Sequence, residues 1–243
     1  MCIRDRKAAA GTEGRIVELY RGIIAVDPGS QEATLGMAAG YLGVGKCFHE
    51  GAEYERALAN YEQAAELLSG MLAVEGARAV ASERLVTVLT LRSSVFEELG
   101  RYEEAVADVS RIIDLETEPV SWPIKLARLR VLVGQYVQGT DEARALLEEL
   151  RNADSYNAAC VFSLAVAAVI ADESITDLER TTLADDYLKQ TIACLKKAQA
   201  SGYFAEKEKV ELLSSDSDFD AVLNESAFAK FLEELRAPGA SRH

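Results

Sequence analysis

Asp216-x-Asp218-x-Asp220 sets three carboxylates at the alternating spacing with which calcium loops present oxygen ligands. The rest of such a loop is missing. Ala221 stands where the turn needs glycine, and Ala227 stands where a bidentate glutamate would close the coordination shell. The expectation is therefore that one of the three aspartates caps a short helix and the others stay solvated. Nucleophilic chemistry has little to work with. The two histidines, His49 and His243, are too few for a multi-histidine zinc site, and neither comes with the base and orienting partner of a triad. His49 reads as a groove or turn residue. Cys2, Cys47, Cys160 and Cys194 show no CxxC spacing, and the last three fall in predicted helices, where small buried thiols are common. That usage suits a reducing cytoplasm. The acidic pairs Glu103-Glu104, Glu148-Glu149 and Glu233-Glu234 fall on exposed helix faces, with no cleft implied. No catalytic, metal or cofactor set is expected.

The elements that would carry a binding surface are plainer. Tyr41-x2-Val44-Gly45-x2-Phe48 on one helix is followed by Tyr54, Ala57, Tyr61 and Ala64 on the next. A small residue flanked by aliphatic and aromatic ones lets two helices cross closely. Upstream, Ile16, Tyr20 and Ile23 before Pro28 repeat the second-helix spacing alone, and Pro28 stops the helix. Downstream, Leu89, Ser93 and Phe96 precede Gly100, Tyr102 and Ala105 in a third unit, and the stretch from Glu75 to Leu99 reads as one long helix. A fourth runs from Trp122 through Leu126, Ala127 and Gly134 to Ala143, with about four extra residues in its turn. A fifth pairs Tyr156–Ala171 with Tyr187–Gly202, where Gly202 is a C-cap. Ile16, Ala57, Ala105, Ala143 and Thr191 then lie 41, 48, 38 and 48 residues apart. A final helix sets Phe228, Phe231, Leu232 and Leu235 on one face and should cap the last repeat.

This pattern resembles the tetratricopeptide repeat, whose ideal period is 34 residues. The resemblance implies an all-α fold, an α-solenoid of antiparallel helix pairs in a right-handed superhelix with a C-terminal capping helix. It also implies a protein or peptide partner held in a concave groove lined by first helices. By helical phase the candidate groove residues are Leu42, Lys46, His49, Thr90, Ser94, Glu97, Arg128 and Asn157. The variant of this repeat that grips acidic chaperone C-termini places Lys and Asn four apart on the first helix. Leu42 and Lys46 occupy those positions here, so that ligand is not expected. The recurrent aromatics Tyr20, Tyr41, Phe48, Tyr61, Phe96 and Tyr102 are expected to pack helix on helix.

A narrower resemblance covers about 80 residues of the C-terminal half. Tyr156, Ala158, Ala159 and Cys160, then Gly202 and Tyr203, then Asp216, Asp218, Phe219, Phe228 and Leu232 are similar to the tetratricopeptide region attached to planctomycete-type serine/threonine kinases. That implies attachment to an upstream kinase in a larger bacterial signalling protein. No glycine-rich loop, Val-Ala-x-Lys strand, His-Arg-Asp or Asp-Phe-Gly occurs in the chain itself. The alternative is a structural repeat that self-associates or packs on its own upstream domain.

Charge narrows the partners. A formal net charge of −14 offers no basic stripe to neutralise phosphates, which disfavours nucleic acid and an anionic membrane surface. The longest apolar run, Ala158 to Ala171, is shorter than the ~20 residues needed to span a bilayer and reads as a buried repeat helix. Residues 1–6, MCIRDR, resemble translated library-preparation sequence, so Met1 is not expected to be the native start. The array is expected over residues 7–203 as one domain of about four and a half repeats, with capping helices over 204–236 and a flexible tail over 237–243.

Overall fold

The computed structural model describes residues 3–115 and 121–236, and every regular element among them is helical. Cys2, Pro119, Pro238, His243 and the tail over 237–243 lie outside the described residues. The chain divides into two compact units, Met1–Thr117 and Glu118–His243. The boundary falls beside Pro119 and Pro123, the sharpest break in the helical pattern, although the sequence alone reads as one array.

The first unit comprises α1 (Ile3–Val26), α2 (Gln31–His49), α3 (Tyr54–Met71), α4 (Arg78–Glu98) and α5 (Tyr102–Leu115), each packed on the next. Short connections force successive helices antiparallel. The expected close crossing lies between α2 and α3, where a Cβ on Gly45 would sit 2.5 Å from the Tyr61 ring. Ala57, Tyr61 and Ala64 are fully buried on α3, as are Ala105, Val109 and Ile112 at the matching positions of α5. Tyr20, Tyr41, Phe48 and Tyr102 are only half-buried. Helix α4 starts later than the sequence suggests, because Gly76 at φ +81 closes a turn first.

The second unit comprises α6 (Ser121–Leu132), α7 (Tyr136–Leu146), α8 (Asn152–Ala171) and α9 (Asp177–Ala200). A 3-10 turn (Tyr203–Ala205), α10 (Lys207–Ser215), a second 3-10 turn (Ser217–Phe219) and α11 (Ser226–Arg236) follow. Two repeat boundaries differ from expectation. The α6–α7 turn holds only Val133, Gly134 and Gln135, so there are no extra residues in it. The close crossing belongs to Gly139, where a Cβ would stand 2.5 Å from the Ala127 carbonyl oxygen, and Ala143 lies one turn further on. Ala105 and Gly139 are 34 positions apart, the ideal repeat length. Helix α9 begins ten residues before Tyr187, at a capping box in which Thr176 accepts from the Glu179 amide and Glu179 accepts from the Thr176 amide.

Helix α8 is the core of this unit. By length and composition it could cross a membrane, yet 61% of that stretch is buried inside the unit, packed chiefly against α9. Phe228, Phe231 and Leu235 bury the closing helix α11, and Gly202 at φ +83 turns the chain after α9.

Candidate functional site

Six of the eight candidate groove residues belong to α2 and α4. Leu42, Lys46 and His49 share one face of α2, and Thr90, Ser94 and Glu97 share one face of α4, both at i, i+4, i+7. Ser30 starts α2 by accepting from the Ala33 amide at 3.3 Å, and Lys46 and His49 stand at its carbonyl end, where positive charge is favoured. The two helices touch directly: Arg84 on α4 donates to the Leu35 carbonyl on α2 at 3.1 Å. Leu42 and His49 are half-buried, whereas Lys46 is exposed. Thr90 and Ser94 donate their hydroxyl protons to the Val86 and Thr90 carbonyls of their own helix, at 2.8 and 3.1 Å. They can therefore accept from a ligand but not easily donate to it. Lys46 forms no ion pair among the described residues, so this face offers a free cation beside an apolar side chain.

His49 ends the face in a fixed cluster. Its Nε2 lies 3.0 Å from Glu98 Oε1 and its Nδ1 lies 3.4 Å from the Tyr61 hydroxyl. With Glu98 ionised and able only to accept, Nε2 carries the proton and Nδ1 accepts from Tyr61. The His49 bond and a second one from the Tyr54 hydroxyl hold the Glu98 carboxyl below its ordinary range. Burial pushes the Tyr61 phenol and the Cys47 thiol upward, so neither is an activated nucleophile. The cluster ties the ends of α2 and α4 to α3.

Arg128 and Asn157 lie in the second unit, on α6 and α8. Asn157 is exposed. Arg128 is not the open groove cation expected from its phase, because Nε and Nη2 donate to the two oxygens of Asp218 at 2.6 and 2.9 Å. Asp218 is itself buried, so the acidic segment is no solvated break. Asp216 caps the second 3-10 turn, accepting from the Asp218 amide on Oδ1 and from the Tyr156 hydroxyl on Oδ2. Ligand atoms of Cys160, Asp216 and Asp218 come within 4.8 Å of one another, a spacing that a metal ion could span. The donor set does not fit one well. Burial drives the Cys160 thiol far up, toward its neutral form, and an arginine already neutralises Asp218. The aromatic rings of Tyr203, Phe204 and Phe219 pack around Tyr156, and Phe228 packs on Phe219.

Sequence reasoning missed Glu98 as the partner of His49 and Asp218 as the partner of Arg128. Both are charged residues distant in the chain, and helical phase alone does not pair them. No protein-family model matches the chain, and no curated protein does. Among solved structures, that of BtubC (BKLC) from P. vanneervenii is similar at 13% identity and a TM-score of 0.49, over 95% of this chain and 91% of that one.

Proposed function

We propose that the chain is a non-catalytic, tetratricopeptide-type interaction module that binds a protein or peptide segment along the face shared by α2 and α4. The observation that carries this reading is Lys46, exposed and free of ion pairs among the described residues, beside half-buried Leu42 on two packed helices. A rigid helical frame suits such contacts, since little order is lost on binding. The partner is a polypeptide in the cytoplasm rather than nucleic acid or an anionic membrane, in keeping with a net charge of −14. The test selects peptides from a random library on the full chain and measures their affinity for a Leu42→Asp/Lys46→Glu variant. A loss of about tenfold or more, equivalent to about 1.4 kcal/mol, is expected, with Glu55→Lys as the surface control. Unchanged affinity of every selected peptide in the double variant defeats the reading.

We further propose that this module is the C-terminal part of a larger bacterial signalling protein with an upstream serine/threonine kinase domain. The residues similar to that family's region support it by forming one contact cluster, from Tyr156 and Cys160 to Asp218, Phe219 and Phe228. Sequencing the source DNA upstream of the Lys7 codon tests it, and a frame that opens without a kinase domain refutes it.

A second reading, self-association or packing on another domain, is favoured by α1. Leu19, Ile23 and Val26 are 64%, 40% and 88% exposed, whereas Ala64 and Ile112, which match Ile23 in α3 and α5, are fully buried. Sedimentation velocity on the chain and on Ile23→Glu separates the readings: a dimer lost in the variant supports self-association, and a monomer in both removes it.

A further inference from the structure

A groove of about 370 Å³ runs between α2 and α3 in the first unit, and none of the eight candidate residues lines it. That volume falls within the range of ligand-sized sites. Met37 and Tyr41 face it from α2, and Glu66, Leu67, Gly70 and Met71 face it from α3. Tyr41 points about 100° round α2 from Leu42, so this is a different surface from the α2/α4 face.

Four features define what the groove can hold. Its apolar wall carries two methionines, whose unbranched thioethers adapt to the shape of an incoming side chain. Gly70 opens it further, since a Cβ there would meet nothing within 4 Å. Tyr41 is fixed at the side by accepting from Arg21 Nη2 at 2.9 Å. The only charged residue in the lining is Glu66, which is exposed and accepts from Gln63 at 3.3 Å. No cation pairs with Glu66 among the described residues, in a chain already carrying a net charge of −14. A carboxylate left unneutralised beside an apolar slot is complementary to a basic side chain next to an apolar anchor.

We propose that the α2/α3 groove docks a protein segment that inserts one apolar side chain against Met37, Leu67 and Met71 and pairs a nearby lysine or arginine with Glu66. This contact is independent of the α2/α4 reading. The test uses a random 12-residue peptide library, panned on the full chain carrying Leu42→Asp and Lys46→Glu so that the other face is disabled. Enriched peptides are synthesised with a fluorescent label and titrated by anisotropy. The expected winners carry an apolar residue within about one helical turn of a lysine or arginine. Gly70→Leu, which fills the groove at an open and exposed helix position, should weaken them at least about tenfold without lowering the melting temperature. Glu66→Gln should weaken them about threefold, and Glu66→Lys more, both with unchanged circular dichroism. Failure to enrich any peptide, or winners indifferent to Gly70→Leu, overturns the site. Winners that lose affinity in Gly70→Leu but ignore Glu66→Lys overturn the basic partner.

Discussion

Arg128 and Asp218 stand 90 positions apart and meet through two hydrogen bonds, so their pairing links α6 to the segment before the last helix. Asp218 is 7% exposed, and removing Arg128 would strand its carboxylate against a thiol that burial keeps neutral. Arg128→Ala is expected to destabilise the second unit by about 2–4 kcal/mol, less than a fully buried pair because the guanidinium keeps some solvent contact. Adding Asp218→Ala should recover part of that loss. Urea unfolding of the four chains of the double-mutant cycle checks this, and strict additivity means that the pair is uncoupled. Asp172 makes a pH prediction at the same scale. The Ser174 hydroxyl, the Tyr136 hydroxyl and the Ser174 amide, in that order, hold its carboxyl down at about 2. A carboxyl lowered on folding stabilises fully above its unfolded value of about 3.9, and the contribution is lost as pH falls through the folded value. The melting-temperature gap between the native chain and Asp172→Asn should therefore be constant above about pH 5 and close as pH falls toward about 2. A gap that persists at the acid end contradicts the hydrogen-bond assignment. Local sequence could announce the capping role of one aspartate among Asp216, Asp218 and Asp220. It could not announce that another faces Arg128, because that encounter is made by the packing of α6, α8 and the closing segment.

Close helix crossings are set at the scale of the element, and two glycines test them. At Gly139 an added methyl group would meet the Ala127 carbonyl oxygen, a backbone atom that cannot turn aside. At Gly22 it would meet nothing within 4 Å on an exposed face of α1. Gly22→Ala should stabilise by about 0.5–1 kcal/mol through helix propensity alone, whereas Gly139→Ala should destabilise by about 1–3 kcal/mol as α6 and α7 are pushed apart. Thermal unfolding of each variant measures the difference, and the same sign at both positions would mean that the α6–α7 crossing is looser than its geometry. Gly45 could be recognised as a crossing from the sequence because Val44, Phe48, Ala57 and Tyr61 surround it in full pattern. Gly139 is masked by Ala143, a second small residue four positions on, which shifts the apparent register of the fourth repeat by one turn. The start of α9 was legible in principle. Thr176-x-x-Glu179 is a capping box, but the apolar pattern used to place the helix only becomes dense at Tyr187.

At the scale of the molecule, charge and shape divide the work of recognition. A net charge of −14 spread over exposed acidic helix faces attracts a basic segment before any contact forms, and this attraction is screened over about 10 Å at 0.1 M salt. Apolar contacts at Leu42 or at Met37, Leu67 and Met71 act only after docking, through the rate of departure. For a basic peptide selected on the chain, raising sodium chloride from about 0.05 M to about 0.5 M should slow association about tenfold and change dissociation less than about twofold. Met37→Ser should do the opposite to a groove peptide, raising the dissociation rate at nearly constant association rate. Stopped-flow fluorescence resolves both rate constants. If salt accelerates dissociation as strongly as it slows association, the ion pair with Glu66 persists in the complex at a solvent-exposed, salt-screened position and carries affinity itself. The exposed charge would then hold the complex together as well as steer its formation, and the apolar slot would share the control of departure with it.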